Sequence, residues 1–282
     1  MPVVHVPGPR RLIATAALVC VAMLSLTAAV ATPAPAGLTV TAGSLPAANA
    51  TTVTEIPAVG AIFVPSVLSL AVLLGLPHEC SGSVVHSASR DLVLTAAHCV
   101  VGPGIGYGFA PEYHDGQAPE GVWSVIRVYV NPAWTRTQDP QHDYAFLQVA
   151  PQLWHGALRN LEDVAGAHTL ATAPARASLV TVDGYVQGAN DEPITCTATV
   201  YDTAEYPSFD CGGFGAGTSG GPWLQGSRVV GVIGGRQQGG CADATSYTSA
   251  FGPDIGVDLA RAGSGAPGDF APLGGSSGCP GG

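Results

Sequence analysis

Asp210-Cys211-Gly212-Gly213-Phe214-Gly215-Ala216-Gly217-Thr218-Ser219-Gly220-Gly221-Pro222 is the stretch on which the reading of this chain turns. It crowds glycine around one serine, and a strand-like run, Arg228-Val229-Val230-Gly231-Val232-Ile233, follows. Glycine serves where the backbone takes unusual dihedrals or where another backbone must come close. A hydroxyl carried on such a loop is presented outward, with neighbouring N–H groups aimed at one point. An acyl-transfer nucleophile and its oxyanion hole need that arrangement. Taken alone, the stretch reads equally well as a Gly-rich surface turn.

Two further stretches decide between these. Leu94-Thr95-Ala96-Ala97-His98-Cys99 sets a histidine behind a β-like run, and Asp143-Tyr144-Ala145-Phe146-Leu147-Gln148-Val149 sets an aspartate at the head of another. The order His, Asp, Ser, with these residues around them, resembles the trypsin/chymotrypsin-like serine proteases over roughly residues 59–260. The resemblance implies an all-β fold of two antiparallel six-stranded β-barrels with the site in the cleft between them. It implies that Ser219 attacks the substrate carbonyl, His98 takes and returns the proton, and Asp143 fixes the imidazole. The N–H groups of Gly217 and Ser219 would hold the oxyanion. Asp139 is the alternative partner for His98, but it precedes Pro140 and heads no alternating run. His78, His86, His114, His142, His155 and His168 lack such context and read as surface or structural.

The chain departs from the family at two places. The residue before the nucleophile is usually Asp in trypsin-like members, where it pairs with the N-terminus freed on activation. Here it is Thr218, and a hydroxyl cannot form that ion pair, so maturation by insertion of a new N-terminus is not expected. The position six before Ser219, acidic where a member cuts after Lys or Arg, is Gly213, which argues against a basic preference. The wall strand Val232-Ile233-Gly234-Gly235-Arg236 is expected to pair with substrate as an added strand. Ile233, Gly234 and Gly235 would then line the substrate, and Arg236 would either favour an acidic residue or point to solvent.

Cys20 leaves with the leader, and Cys80, Cys99, Cys196, Cys211, Cys241 and Cys279 remain. An even number in an exported chain implies disulfides whose pairing spacing alone cannot choose. The resemblance implies Cys80–Cys99 beside the histidine and Cys196–Cys211 ahead of the nucleophile. The family partner of Cys241 would stand at Gly215, so that bridge is absent and Cys241–Cys279 is the remaining possibility. The rival reading, metal binding, lacks a Cys-x-x-Cys or Cys/His cluster at ligand spacing; no metal or cofactor is expected.

Hydrophobic residues are 46% and charged residues 11%, with 38 Gly, which suits a turn-rich β protein and argues against disorder. All ten basic residues are arginine and the net charge is -10, a poor basis for nucleic-acid binding. Arg10-Arg11, the uncharged run Leu12–Val30 and the small-x-small Ala29-Val30-Ala31 read as a secretory signal peptide over residues 1–31. Residues 32–58, rich in Ala, Thr and Pro, read as a pro-segment or linker without a core. Ile56 to Pro77 is uncharged and nearly span-length, but Pro65 interrupts it. Val59–Val64 can be the first strand there, and the apolar 67–74 has no account; membrane tethering is the rival.

Strand composition marks Val84–His86, Asp91–Thr95, Trp123–Val130, Tyr144–Val149, Ser178–Val186, Ile194–Tyr201, Arg228–Ile233 and Thr245–Phe251. The one helical stretch is Asp254–Arg261. The barrels would cover about 59–165 and 170–260, with a Gly/Ser/Pro-rich tail over 261–282. The expected protein is a secreted monomeric serine endopeptidase acting on protein or peptide. The rival from another class is an inactive homologue that keeps the fold as a binding module.

Overall fold

The structure, a computed structural model, describes residues 48–64, 77–188, 192–242, 244–273 and 279. The leader and the apolar run 67–74 lie outside the described residues. Among those described, no helix is long and apolar enough to cross a membrane.

Two short strands come first, β1 (Ala48–Asn49) and β2 (Thr51–Thr52). A closed barrel follows, built from β3 (Val59–Phe63), β4 (Cys80–Val85), β5 (Leu92–Thr95), β6 (Gly108–Pro111), β7 (Trp123–Val130) and β8 (Ala145–Val149). Its strands run in the order β3-β4-β5-β8-β7-β6, all antiparallel. Side chains alternate across each strand, so one set fills the barrel: Ile62, Val84, Val93, Phe109, Trp123, Val128 and Leu147 are buried there. Burying each such side chain contributes about 1.5–3 kcal/mol. The strand read as Trp123–Val130 is observed with those bounds.

Two short α-helices lie between β7 and the second half of the chain. Asn131-Pro132 stops the strand and also starts α1 (Pro132–Thr137), where the Asn131 side chain accepts from the Ala133 N–H and proline occupies the first turn. The hairpin β9 (Gln152–Trp154) and β10 (Ala157–Arg159) leads to α2 (Leu161–Ala165), closed at its start by a capping box of Asn160 and Asp163.

The second half is β11 (Thr169–Leu170), β12 (Leu179–Tyr185), β13 (Pro193–Thr199), β14 (Tyr201–Thr203), β15 (Tyr206–Gly212), β16 (Pro222–Gln225), β17 (Arg228–Val232) and β18 (Thr245–Tyr247). Among the described residues, the pairing of these strands does not close into the expected second barrel. They divide into a six-stranded sheet, β11-β17-β16-β12-β13-β2, and a four-stranded one around β15, which pairs with β14, β18 and β1. One of the two gaps between these sheets is occupied from upstream. Thr51 and Thr52 pair with Thr195 and Ile194 of β13, while Ala48 and Asn49 pair with Cys211 and Gly212 of β15. The segment takes, at one end of each strand, backbone groups that a closing β13–β15 ladder would need. The stretch read as a coreless linker, 32–58, is therefore part of the sheets from Ala48 onward, and Ala58 is buried.

The bridges Cys80–Cys99, Cys196–Cys211 and Cys241–Cys279 are all present. The helix expected over Asp254–Arg261 is α3 (Pro253–Gly263). The chain beyond it is docked at least to Ala271: Ala271 and Gly102 exchange backbone hydrogen bonds, and the Asp269 carboxylate accepts from Arg261 and from the Val130 N–H.

Asp183, in β12, is 3% exposed. Burial pushes its carboxyl up to about 6, although the Thr195 hydroxyl donates to it at 2.6 Å. The folded state thus binds this proton more tightly than the unfolded chain. The associated stability is fully present below the ordinary value of 3.8 and is lost as pH rises through about 6. Asp183→Asn, neutral throughout, is expected to flatten the fall of the denaturant midpoint across that window. Identical slopes for variant and parent would remove Asp183 as its source.

Candidate active site

β5 and β8 are paired neighbours with Thr95 opposite Ala145. Residues just after β5 and just before β8 therefore emerge at the same barrel end. His98 lies in the short 3-10 turn Ala97–Cys99 and Asp143 closes the turn Pro140–His142, so the fold brings them together across their sequence gap. His98 Nδ1 is 2.8 Å from Asp143 Oδ2, and the His98 backbone N–H donates to Oδ1 at 2.9 Å. The Gly235 N–H donates to Oδ2 at 2.8 Å. Asp143 is fully buried, and three N–H donors compensate its lost water. A carboxylate at Nδ1 selects the tautomer with hydrogen there, which leaves Nε2 with a free lone pair. Asp139 is engaged elsewhere: it accepts from Gln141 N and pairs with His142, whose other nitrogen meets Asp254 at 2.8 Å.

Ser219 sits on the turn between β15 and β16. Its carbonyl accepts from the Ser81 N–H of β4 at 2.7 Å, which ties the turn to the closed barrel. Gly217 and Gly220 on either side have φ of +91° and +80°, the left-handed region that favours glycine. The Gly220 N–H donates to Ile233 O at 2.7 Å and the Gly221 N–H to Thr218 O at 2.9 Å. Thr218 is buried and its hydroxyl donates to Gly215 O at 2.7 Å, a hydrogen bond within the loop.

Two cavities adjoin Ser219. One, about 490 Å³, is lined by His98, Gly217 and Ser219 together with Glu79, Gln187 and Gln237. The other, about 260 Å³, is walled by Phe214, Ala216, Ile233, Ala242 and the Cys241–Cys279 bridge, with Thr218 and Gln238, and among the described residues no charged side chain lines it. The Ser219 hydroxyl and the His98 ring line one cleft without a hydrogen bond between them. Such contacts are often long in free enzymes and tighten with substrate.

The expected substrate residues are dispersed. Ile233 lines the smaller cavity, but Gly213, Gly234, Gly235 and Arg236 line neither. Gly213 lies against Ala50 of the upstream segment. The extended wall expected over Val232–Arg236 stops at Val232, and Arg236–Gly239 is wound into a 3-10 turn. Left-handed φ at Gly235, Gln237, Gln238 and Gly239 is what turns the chain there. The Gly235 N–H donates to Asp143, and the half-buried Arg236 lies over the Tyr247 ring at 5.8 Å.

Donor atoms of Cys80, His98 and Cys99 lie within 4.8 Å of one another. Both sulfurs are committed to a disulfide and have no thiolate to offer, so the group does not suit a metal. Residues that the motifs did not indicate also surround the turn. His78 is fully buried, its Nε2 3.1 Å from Val186 O, and Ser81 is equally buried beside it. Nothing in their local sequence marks them, because their importance comes from contacts more than 100 residues away.

Residues 80–232, more than half of the chain, match the family model of the trypsin-like peptidase domain. The chain belongs to that family. Among solved structures it is similar to the protease Anisep from Arthrobacter nicotinovorans, at 25% identity over 76% of this chain and 98% of the other, with TM-score 0.61. It is also similar to the thermostable serine protease AL20 from an extremophilic microorganism, at 23% identity over 74% and 97%, with TM-score 0.59. A Glu endopeptidase shares the fold at 15% identity over 77% and 97%, with TM-score 0.58. No curated protein matches the sequence.

Proposed function

We propose that this protein is an exported serine endopeptidase that cleaves peptide bonds through an acyl-enzyme, with Ser219, His98 and Asp143 as its triad. The observation that carries the reading is the buried Asp143–His98 pair at the cleft where a glycine-flanked turn presents Ser219. In the chymotrypsin-type scheme, Ser219 Oγ attacks the scissile carbonyl carbon and its proton passes to His98 Nε2. The tetrahedral oxygen is held by the N–H groups of Gly217 and Ser219. Collapse expels the amine, which takes the proton from His98, and water then releases the acyl group by the same steps reversed. Asp143 stays ionised and holds the imidazole in its tautomer.

The smaller cavity takes the side chain before the scissile bond. Its walls combine Phe214, Ile233 and the disulfide with the neutral polar Thr218 and Gln238, which favours an uncharged residue of moderate size, in keeping with glycine at position 213. The three disulfides and the leader read from the sequence support export from the cytoplasm.

The test is an aryl phosphonate carrying an apolar side chain, followed by mass spectrometry of the labelled peptide. Stoichiometric modification of Ser219 is expected, with none in Ser219→Ala and with a peptide library cut after uncharged residues. A folded protein that neither labels nor hydrolyses would instead be an inactive homologue with a binding role.

A further inference from the structure

We propose that Ser81 is a positioning residue of the oxyanion hole, holding Gly217 in the orientation that aims its N–H at the developing charge. This inference rests on the serine-peptidase reading of the same site. Ser81 is the second residue of β4 and is fully buried. It grips the nucleophile turn twice: its backbone N–H donates to Ser219 O at 2.7 Å, and its hydroxyl donates to Gly217 O at 2.9 Å. The same hydroxyl accepts from the Tyr185 N–H at 2.9 Å. An N–H can only donate and a carbonyl can only accept, so the hydroxyl hydrogen has one place to point. Ser81 O in turn accepts from the Thr95 hydroxyl at 2.8 Å, which fixes the residue from the neighbouring strand.

The geometry of Gly217 shows why this matters. A glycine at φ +91° has no side chain to resist rotation of its two flanking peptides. The Ala216–Gly217 peptide carries the first oxyanion donor, and its carbonyl is held by the Gln187 N–H at 2.7 Å. The Gly217–Thr218 peptide has its carbonyl held by the Ser81 hydroxyl. Rotation of the Gly217 N–H out of the cleft breaks one or both of these bonds. Thr218 offers no carboxylate to brace the loop from behind, and its own hydroxyl turns inward to Gly215 O. The first barrel braces the loop through the Ser81 hydroxyl on Gly217 O and the Ser81 N–H on Ser219 O, and the Gln187 N–H holds the preceding peptide.

The hole acts mainly on the transition state, so its loosening shows in kcat and not in KM. Ser81→Ala is expected to lower kcat at least tenfold with KM within about twofold, per mole of phosphonate-titrated sites. It should weaken a peptide aldehyde, which forms a tetrahedral oxyanion on Ser219, by the same factor, and leave the affinity for a cleaved product peptide unchanged. Ser81→Cys, close in volume but a weak donor, should show the same pattern and serves if the alanine variant does not fold. A variant, folded and titratable, with kcat within twofold of the parent would overturn the inference and leave the peptidase reading intact. A parent that fails to label at Ser219 would remove that reading, and the inference with it.

Discussion

Asp143→Asn is expected to lower kcat by about 10⁴-fold, the size of loss known for this change in chymotrypsin-type triads, with little change in KM. The structure explains why so small a change is so damaging. Every donor around the Asp143 carboxylate is an N–H: the backbone and Nδ1 of His98 and the backbone of Gly235. An amide has one accepting oxygen and one donating nitrogen. Turned so that its oxygen serves the His98 backbone, it places NH₂ against Nδ1 and Gly235. The imidazole then carries its hydrogen on Nε2, where it cannot take the serine proton. Turned the other way, NH₂ opposes the His98 backbone N–H. Steady-state kinetics with thermal unfolding on the same preparations checks this. A variant within tenfold of the parent in kcat would remove Asp143 from the proposed triad.

Gly220→Ala is expected to cost the fold itself, by about 3 kcal/mol or more from strain and overpacking together. A Cβ at this position would fall onto the Thr95 hydroxyl and the Ser81 carbonyl, closer than real Cβ atoms approach, with Ala96 N at 3.0 Å. Two of these obstacles are main chain, so no rotamer change relieves them. The φ of +80° adds its own penalty for any residue with a side chain. Denaturant unfolding should show a lowered midpoint, together with lost activity because Ser219 is the adjacent residue. An unchanged midpoint would mean that the turn tolerates a different path. Gly226, also left-handed at φ +63° but with open space around its Cβ, is the control for strain alone.

The parts of this molecule that were legible in its sequence are those whose cause is local. Trp123–Val130 shows strand composition and ends at Asn131-Pro132, and the observed strand has the same limits. Asn131 also carried a helix-start signal that its reading as a strand stop obscured. Thr245–Phe251 was read as one strand, but only Thr245–Tyr247 is extended. Beyond it the Thr248 hydroxyl donates to Ser249 O and the Ser249 hydroxyl to the distant Pro140 O, so the chain there is held by side-chain bonds. The pairing of residues 48–52 was not legible, because this Ala/Asn/Thr stretch has no apolar periodicity and its partners lie far along the chain. Ser81 is the same case within the site: a small polar residue beside a cysteine, whose role depends on Gly217 and Tyr185.

The pairing of the upstream strands bears on where a precursor can be trimmed. Scission between Val53 and Ala58 would set Ala48–Asn49 and Thr51–Thr52 loose, baring the backbone of Ile194, Thr195, Cys211 and Gly212 to foreign strands. Scission ahead of Ala48 would leave both edges occupied. The compositional border near residue 58 is thus a poor marker for where the folded unit begins, since its strand pairing reaches back to Ala48.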